Sequence, residues 1–258
     1  MRHYTVVVHN EHEVIDGQPM AALWPEHKPL AEVIKLRDTT PELTWEGTFQ
    51  GNPTPKSGYT FRRSFWGDST RYHADEFRGR VVARYQSWDT AETTGNTSAW
   101  TVGITGEILD DYRLVIRDVY RDRLTFDVLP ATIESVARRW NGDGRLNWIV
   151  IEDKSSGKAA NQTLKATSPE WLREKISPYQ PSGSKEHRAA QAAVWCRNGM
   201  VLLPHPGPAA PWLIDLEDEL FAFPQSAYAD QVDAFAQLCL FLENYLAEGH
   251  ASVAGRRQ

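Results

Sequence analysis

At 258 residues, with 41% hydrophobic and 24% charged side chains, the chain is long enough to bury one large core and has the composition of an ordinary globular protein. No apolar run approaches the ~20 residues that span a bilayer, and the short apolar stretch from Thr5 to Val8 lacks the length and cleavage site of a secretory signal; a cytoplasmic location is expected. The net charge of −6 argues at first against a nucleic-acid partner, but the acidity is regional. No Lys or Arg occurs from Asn198 to Val253, where eight acids fall, and charge over residues 1–197 is balanced. Cys196 and Cys239 sit among apolar helical neighbours, as expected for reduced core residues.

Residues 1–75 carry Pro25, Pro29, Pro41, Pro53 and Pro55 and little periodicity beyond one short helix near Leu30 to Leu36, so they read as a linker or domain remnant. From Val81 the pattern changes. Val81 to Trp88, Ala99 to Ile104 and Tyr112 to Val119 are short strands bounded by turns, which suggests an antiparallel meander. Phe126 to Trp140 has helical spacing and is stopped by Asn141-Gly142-Asp143-Gly144; Trp148 to Ile151 is wholly apolar, as in a strand covered on both faces. Helices are expected near 157–164, 185–198, 211–221 and 230–247, with strands near 176–179 and 200–203. A meander followed by alternating strands and helices indicates an α/β domain with a mixed sheet over residues 76–250, leaving 251–258 as a tail.

Three acids stand at the ends of these elements. Asp89 closes the first strand, Glu152 directly follows the apolar strand 148–151, and Asp230 with Asp233 opens the last helix. Each has an ordinary explanation taken alone, as a turn former, a solvated strand end or a helix-start acid. Together they suit a hard, oxygen-binding cation such as Mg²⁺ or Mn²⁺, and a pair of such ions supports in-line phosphodiester cleavage with no protein nucleophile. On a helical wheel Asp230 lies at the edge of the apolar face formed by Val232, Phe235, Leu238 and Leu242, whereas Asp233 points away from it, which makes Asp230 the better ligand. A Ser/His/Asp mechanism has His187 and His205 in its favour but no nucleophile-elbow pattern.

At these residues the chain resembles the C-terminal nuclease domain of the large terminases that package tailed-phage genomes. The similarity is carried in order by Leu23-Trp24-Pro25-Glu26, Ser87-Trp88-Asp89-Thr90-Ala91, Ile151-Glu152-Asp153-Lys154-Ser155-Ser156-Gly157, Lys185-Glu186-His187-Arg188-Ala189, Val201-Leu202-Leu203-Pro204, and Phe223-Pro224 leading into Asp230-Gln231-Val232-Asp233-Ala234. The resemblance implies an RNase H-like fold, two Mg²⁺ or Mn²⁺ ions held by Asp89, Glu152 and Asp230, and Asp153 and Asp233 as outlying or alternative ligands. The family's last motif often has two adjacent acids after a histidine; Tyr228 and Ala229 precede Asp230 here, which leaves open which of Asp230 and Asp233 binds metal.

The resemblance further implies double-stranded DNA as substrate in the host cytoplasm, with a terminase ATPase domain, a small terminase subunit and a portal protein as partners. Lys185 and Arg188 would face the DNA backbone, with Lys154 and Lys158 as further walls of a basic groove. No G-x-x-x-x-G-K-[ST] loop is present, since Glu152 stands where the first glycine before Gly157-Lys158 would be and Ala159 follows, so ATP hydrolysis is not expected of this chain. Residues 1–75 then correspond to the stretch that joins the family's motor to its nuclease. Other readings are a resolvase- or transposase-type RNase H-like enzyme, and a non-catalytic module that docks on the packaging motor through the acidic C-terminal region.

Overall fold

The computed structural model describes residues 26–41, 44–45, 48–49, 60–91 and 100–255. Its strands are β1 (Arg71–Tyr72), β2 (Val81–Asp89), β3 (Thr101–Leu109), β4 (Leu114–Asp122), β5 (Leu146–Glu152), β6 (Ile176–Tyr179) and β7 (Val201–Pro204). Its helices are α1 (Leu30–Thr39), α2 (Leu129–Trp140), α3 (Ser155–Thr167), α4 (Glu170–Arg173), α5 (Lys185–Arg197), α6 (Leu213–Ala222) and α7 (Asp230–Gly255).

All seven strands join one sheet in the order β1-β7-β4-β3-β2-β5-β6. The expected meander is present: β2 and β3, and β3 and β4, pair antiparallel, whereas β5 adds to β2 in parallel and β6 to β5 in parallel. Period-two alternation along β2 decides the layers. Ala83 and Tyr85 enter a core built with α5, α6 and α7, and Trp88 enters a second core with Ile133 and Ala137 of α2 and Leu164 of α3. The sheet is therefore covered on both faces, which is why β5 reads as a nearly unbroken apolar run. Cys196 and Cys239 are free and buried, as their apolar surroundings predict.

Three sequence expectations need correction. Residues 60–75 do not stand outside the domain: Phe61 and Trp66 are buried in the larger core, and β1 lengthens the sheet through parallel pairing with β7. Two-residue β1 has too little periodicity to register in sequence. The final helix continues to Gly255, so 251–255 is not a separate tail. Finally, α7 has no solvent side along its first turns. Residues 231–240 are all buried because α5 packs over the face that the helical wheel assigns to water. Of the N-terminal motif, Leu23-Trp24-Pro25 lies outside the described residues.

Candidate metal centre

The strand alternation that sorts the core also aims the acids. Asp89 shares its face of β2 with Tyr85 and Ser87, and Glu152 is out of phase with Ile149 and Ile151, which enter the opposite core. Both carboxylates accordingly emerge on the side that α7 covers, at neighbouring C-terminal ends of parallel strands. Gln237 fixes the helix there: its buried Nε2 donates to Ser87 Oγ at 3.0 Å, to Trp88 O at 3.3 Å and to Val150 O at 3.4 Å. One amide thus ties α7 to both acid-bearing strands, about two turns beyond Asp230.

Asp89, Glu152, Asp230 and Asp233 line one cleft of about 520 Å³, together with Thr90, Lys154, Lys185 and Arg188. Asp153 is not in it. One residue beyond Glu152 the chain has turned to the other side, where Asn161 Nδ2 of α3 donates to Asp153 Oδ1 at 3.3 Å. Gly157 is required by the same tight geometry, since a Cβ there would lie 2.0 Å from the carbonyl oxygen of Glu152. Ser156 pins α3 from the other side, with its Oγ 2.6 Å from Ala91 O.

The cations divide unevenly among the acids. Asp233, only 6% exposed, is paired with Arg188 at 2.7 Å and with Lys185; Lys154 Nζ lies 3.1 Å from Glu152. Arg188, expected to face DNA, is instead buried, and its guanidinium also donates to Gly183 O at 3.1 Å. It stands one turn into α5, where the helix meets α7, whereas Lys185 at the first position keeps half its side chain in solvent. Lys158 is exposed on α3 and does not line the cleft.

Asp89 and Asp230 have no ion pair among the described residues. Burial, reinforced by Asp233, Glu152 and Asp230, holds the Asp89 carboxyl well above the ordinary carboxylate range. Burial also raises Asp230, although the Trp100 N–H, 3.4 Å from its Oδ2, and nearby Lys185 pull the other way. For Lys185 burial works against the charge, but Asp233, Asp89 and Asp230 outweigh it and raise the ammonium.

This donor set fits a hard divalent cation. It is all oxygen, and two of its half-buried acids, Asp89 and Asp230, lack an ion-pair partner among the described residues. The described residues contain no trio of His, Cys, Asp or Glu already gathered tightly enough to hold an ion. The histidines of the competing mechanism are elsewhere: His205 stacks on His73 with centroids 4.4 Å apart, and His187 lies on α5 with its N–H on the Ser184 cap at 3.2 Å. No described helix is long and apolar enough to cross a membrane.

The terminase RNase H-like domain family matches residues 86–240, a span that holds the cleft and its supports. The chain belongs to this family. Its fold is similar to that of solved large terminases despite low identity. The large terminase of a thermophilic bacteriophage gives a TM-score of 0.57 at 10% identity over 86% of this chain and 52% of that one; the ADP complex of the same terminase gives 0.55 at 11% identity over 80% and 50%. The chain thus spans about half the length of that terminase. A large terminase nuclease from thermophilic phage G20c with bound cobalt gives 0.46 at 18% identity, over 72% of this chain and 98% of that one. No curated protein matches significantly. The terminase domain therefore has the RNase H-like α/β fold expected of it.

Sequence reading missed the supports Gln237, Ser156 and Trp100. A glutamine inside an apolar helix face is the available signal for the first, because a buried amide needs partners; nothing local marks the other two.

Proposed function

We propose that this terminase domain is a metal-dependent endonuclease that cuts concatemeric viral double-stranded DNA at the start and end of genome packaging. The observation that carries the reading is the convergence of Asp89, Glu152 and Asp230 from three separate elements into one cleft at the end of an RNase H-like sheet. Family membership favours a packaging nuclease over a resolvase or transposase.

In this reading Asp89, Glu152 and Asp230 hold two Mg²⁺ or Mn²⁺ ions. When bound, the ions supply activation of water and neutralisation of charge developing on the scissile phosphate. The protein's part is placement. Asp89 and Glu152 are anchored by neighbouring strands, and Gln237 sets α7 against both, so Asp230 approaches from a rigid helix rather than a loop. Asp233 keeps Arg188 and Lys185 at the wall of the cleft, where Lys185 offers positive charge beside an incoming phosphate. Asp233, already neutralised by two cations, is better suited to this positioning than to ligating metal.

The acidic surroundings make isolated DNA binding weak and salt-sensitive. Partners of the intact packaging machine, namely its ATPase domain, small subunit and portal, then supply the geometry that restrains cutting. The test is nicking of supercoiled plasmid by the chain with Mg²⁺ or Mn²⁺ and no ATP. Cleavage that persists in excess EDTA overturns the metal mechanism, and a chain that never cuts under any divalent metal overturns the nuclease reading.

A further inference from the structure

The cations that sequence assigned to DNA are largely committed: Arg188 and Lys185 to Asp233, and Lys154 to Glu152. A different group borders the same cleft. Thr101 pairs with Asp122 at the ends of β3 and β4, so the residues just beyond them, Trp100 and Arg123, come side by side. Two guanidinium groups lie over the half-buried Trp100 ring, Arg121 at 4.3 Å and Arg123 at 4.5 Å from its centroid, and Tyr228 meets it edge-on at 6.3 Å and 88°.

The two arginines differ in kind. Arg121 is 20% exposed and held 3.7 Å from both Asp215 and Glu219, which fixes it in place beside the ring. Arg123 is exposed and has no ion pair among the described residues; the neighbouring Asp122 carboxylate accepts from the Arg123 backbone N–H at 2.7 Å. Tyr228 is 45% exposed, an aromatic surface left open two residues before Asp230. The whole group is tied to the cleft by the backbone N–H of Trp100, which donates to Asp230.

Guanidinium stacked on indole is held in place while its N–H edge remains available, and that edge matches phosphate oxygens. We infer that Arg123, set on Trp100 and backed by Arg121 and Tyr228, is the phosphate clamp that seats a DNA strand beside Asp230. This deepens the nuclease reading and rests on it. An exposed arginine on an aromatic support adds attraction to a cleft whose other cations are paired with its acids.

The experiment uses the full chain and a short fluorescent duplex, with binding followed by anisotropy in Ca²⁺ across a salt series and cleavage followed in Mg²⁺. Arg123→Gln should weaken binding roughly tenfold at about 0.1 M salt and lower the slope of log affinity against log salt by about 1, as one lost phosphate contact requires. KM should rise while kcat at saturating DNA and the melting temperature stay as in the parent, and Arg123→Lys should keep the slope. A parent that binds and cuts, with Arg123→Gln equal to it in affinity and slope, overturns the clamp and leaves the nuclease standing. A lowered melting temperature with an unchanged slope makes Arg123 structural and also overturns it. A parent that neither binds nor cuts overturns both.

Discussion

Two clusters of charge lie toward opposite ends and on opposite faces of the same strands. Near the start of β2, Arg84 Nε donates to Glu107 at 2.9 Å, Arg117 Nε donates to the other oxygen of Glu107 at 2.6 Å, and Arg84 reaches Asp143 at 2.8 Å. The buried Glu107 takes both guanidinium groups there and the exposed Asp143 takes Arg84 as well, so the buried charges satisfy one another. At the far end, Asp89 and Asp230 stay unpaired among the described residues while Asp233 takes two cations. A folded protein tolerates incomplete compensation where an outside ion or substrate completes it, and that is where chemistry is expected.

The largest contrast should appear in activity. Asp89→Asn, Glu152→Gln and Asp230→Asn should each lower plasmid cleavage by orders of magnitude without unfolding the chain, whereas Asp143→Asn in the balanced cluster should leave cleavage unchanged. If Asp233→Asn kills activity and Asp230→Asn spares it, the ligand on α7 has been misassigned.

Stability should run in the opposite sense. Glu107→Gln leaves the Arg117 guanidinium without its acid and Arg84 with Asp143 alone, and should cost about 3 kcal/mol, lowering the melting temperature by roughly 10 °C. Asp89→Asn relieves crowding among acids, so in EDTA it should melt no lower than the parent and somewhat higher. A clear loss of stability in metal-free Asp89→Asn would mean that the cleft is as well compensated as the other cluster.

Adding metal should stabilise one cluster alone. Mg²⁺ or Mn²⁺ at about a hundred times its dissociation constant should add ~2.7 kcal/mol to the parent. Calorimetry or thermal melting should show that gain abolished by Asp89→Asn and retained, from a lower baseline, by Glu107→Gln.

The smallest effect concerns alkali. Tyr72 hydrogen-bonds Ile116 O under the Arg117 guanidinium, and burial, only partly offset by Arg117, pushes its hydroxyl from 10.0 up to about 12. An acid raised on folding contributes stability that is complete below pH 10 and lost as pH climbs toward about 12. Tyr72→Phe should therefore cost ~1 kcal/mol at neutral pH through the lost hydrogen bond and melt with a shallower alkaline decline. Tyr85, raised by burial to about 12 as well, keeps part of that decline in both proteins. Identical alkaline slopes would remove Tyr72 from the account.

Sequence by itself determined most of the elements and the candidate acids. Period-two strands, a glycine-stopped helix and an apolar β5 are local patterns, so the meander, the alternation that follows and the positions of Asp89, Glu152 and Asp230 at element ends could all be read from neighbours along the chain. Tertiary structure alone decided which face each acid joins. Asp153 fell outside the cleft because one residue of strand reverses direction, and Arg188 and Asp233 turned inward because α5 covers α7, a packing that no helical wheel contains. The same holds for Gln237, which serves two strands far from it in sequence, and for Trp100 beside Arg123, brought together only by the register of β3 on β4. Local pattern follows from backbone period, whereas charge compensation depends on partners distant in the chain, and those partners meet only once the sheet and its covering helices have closed.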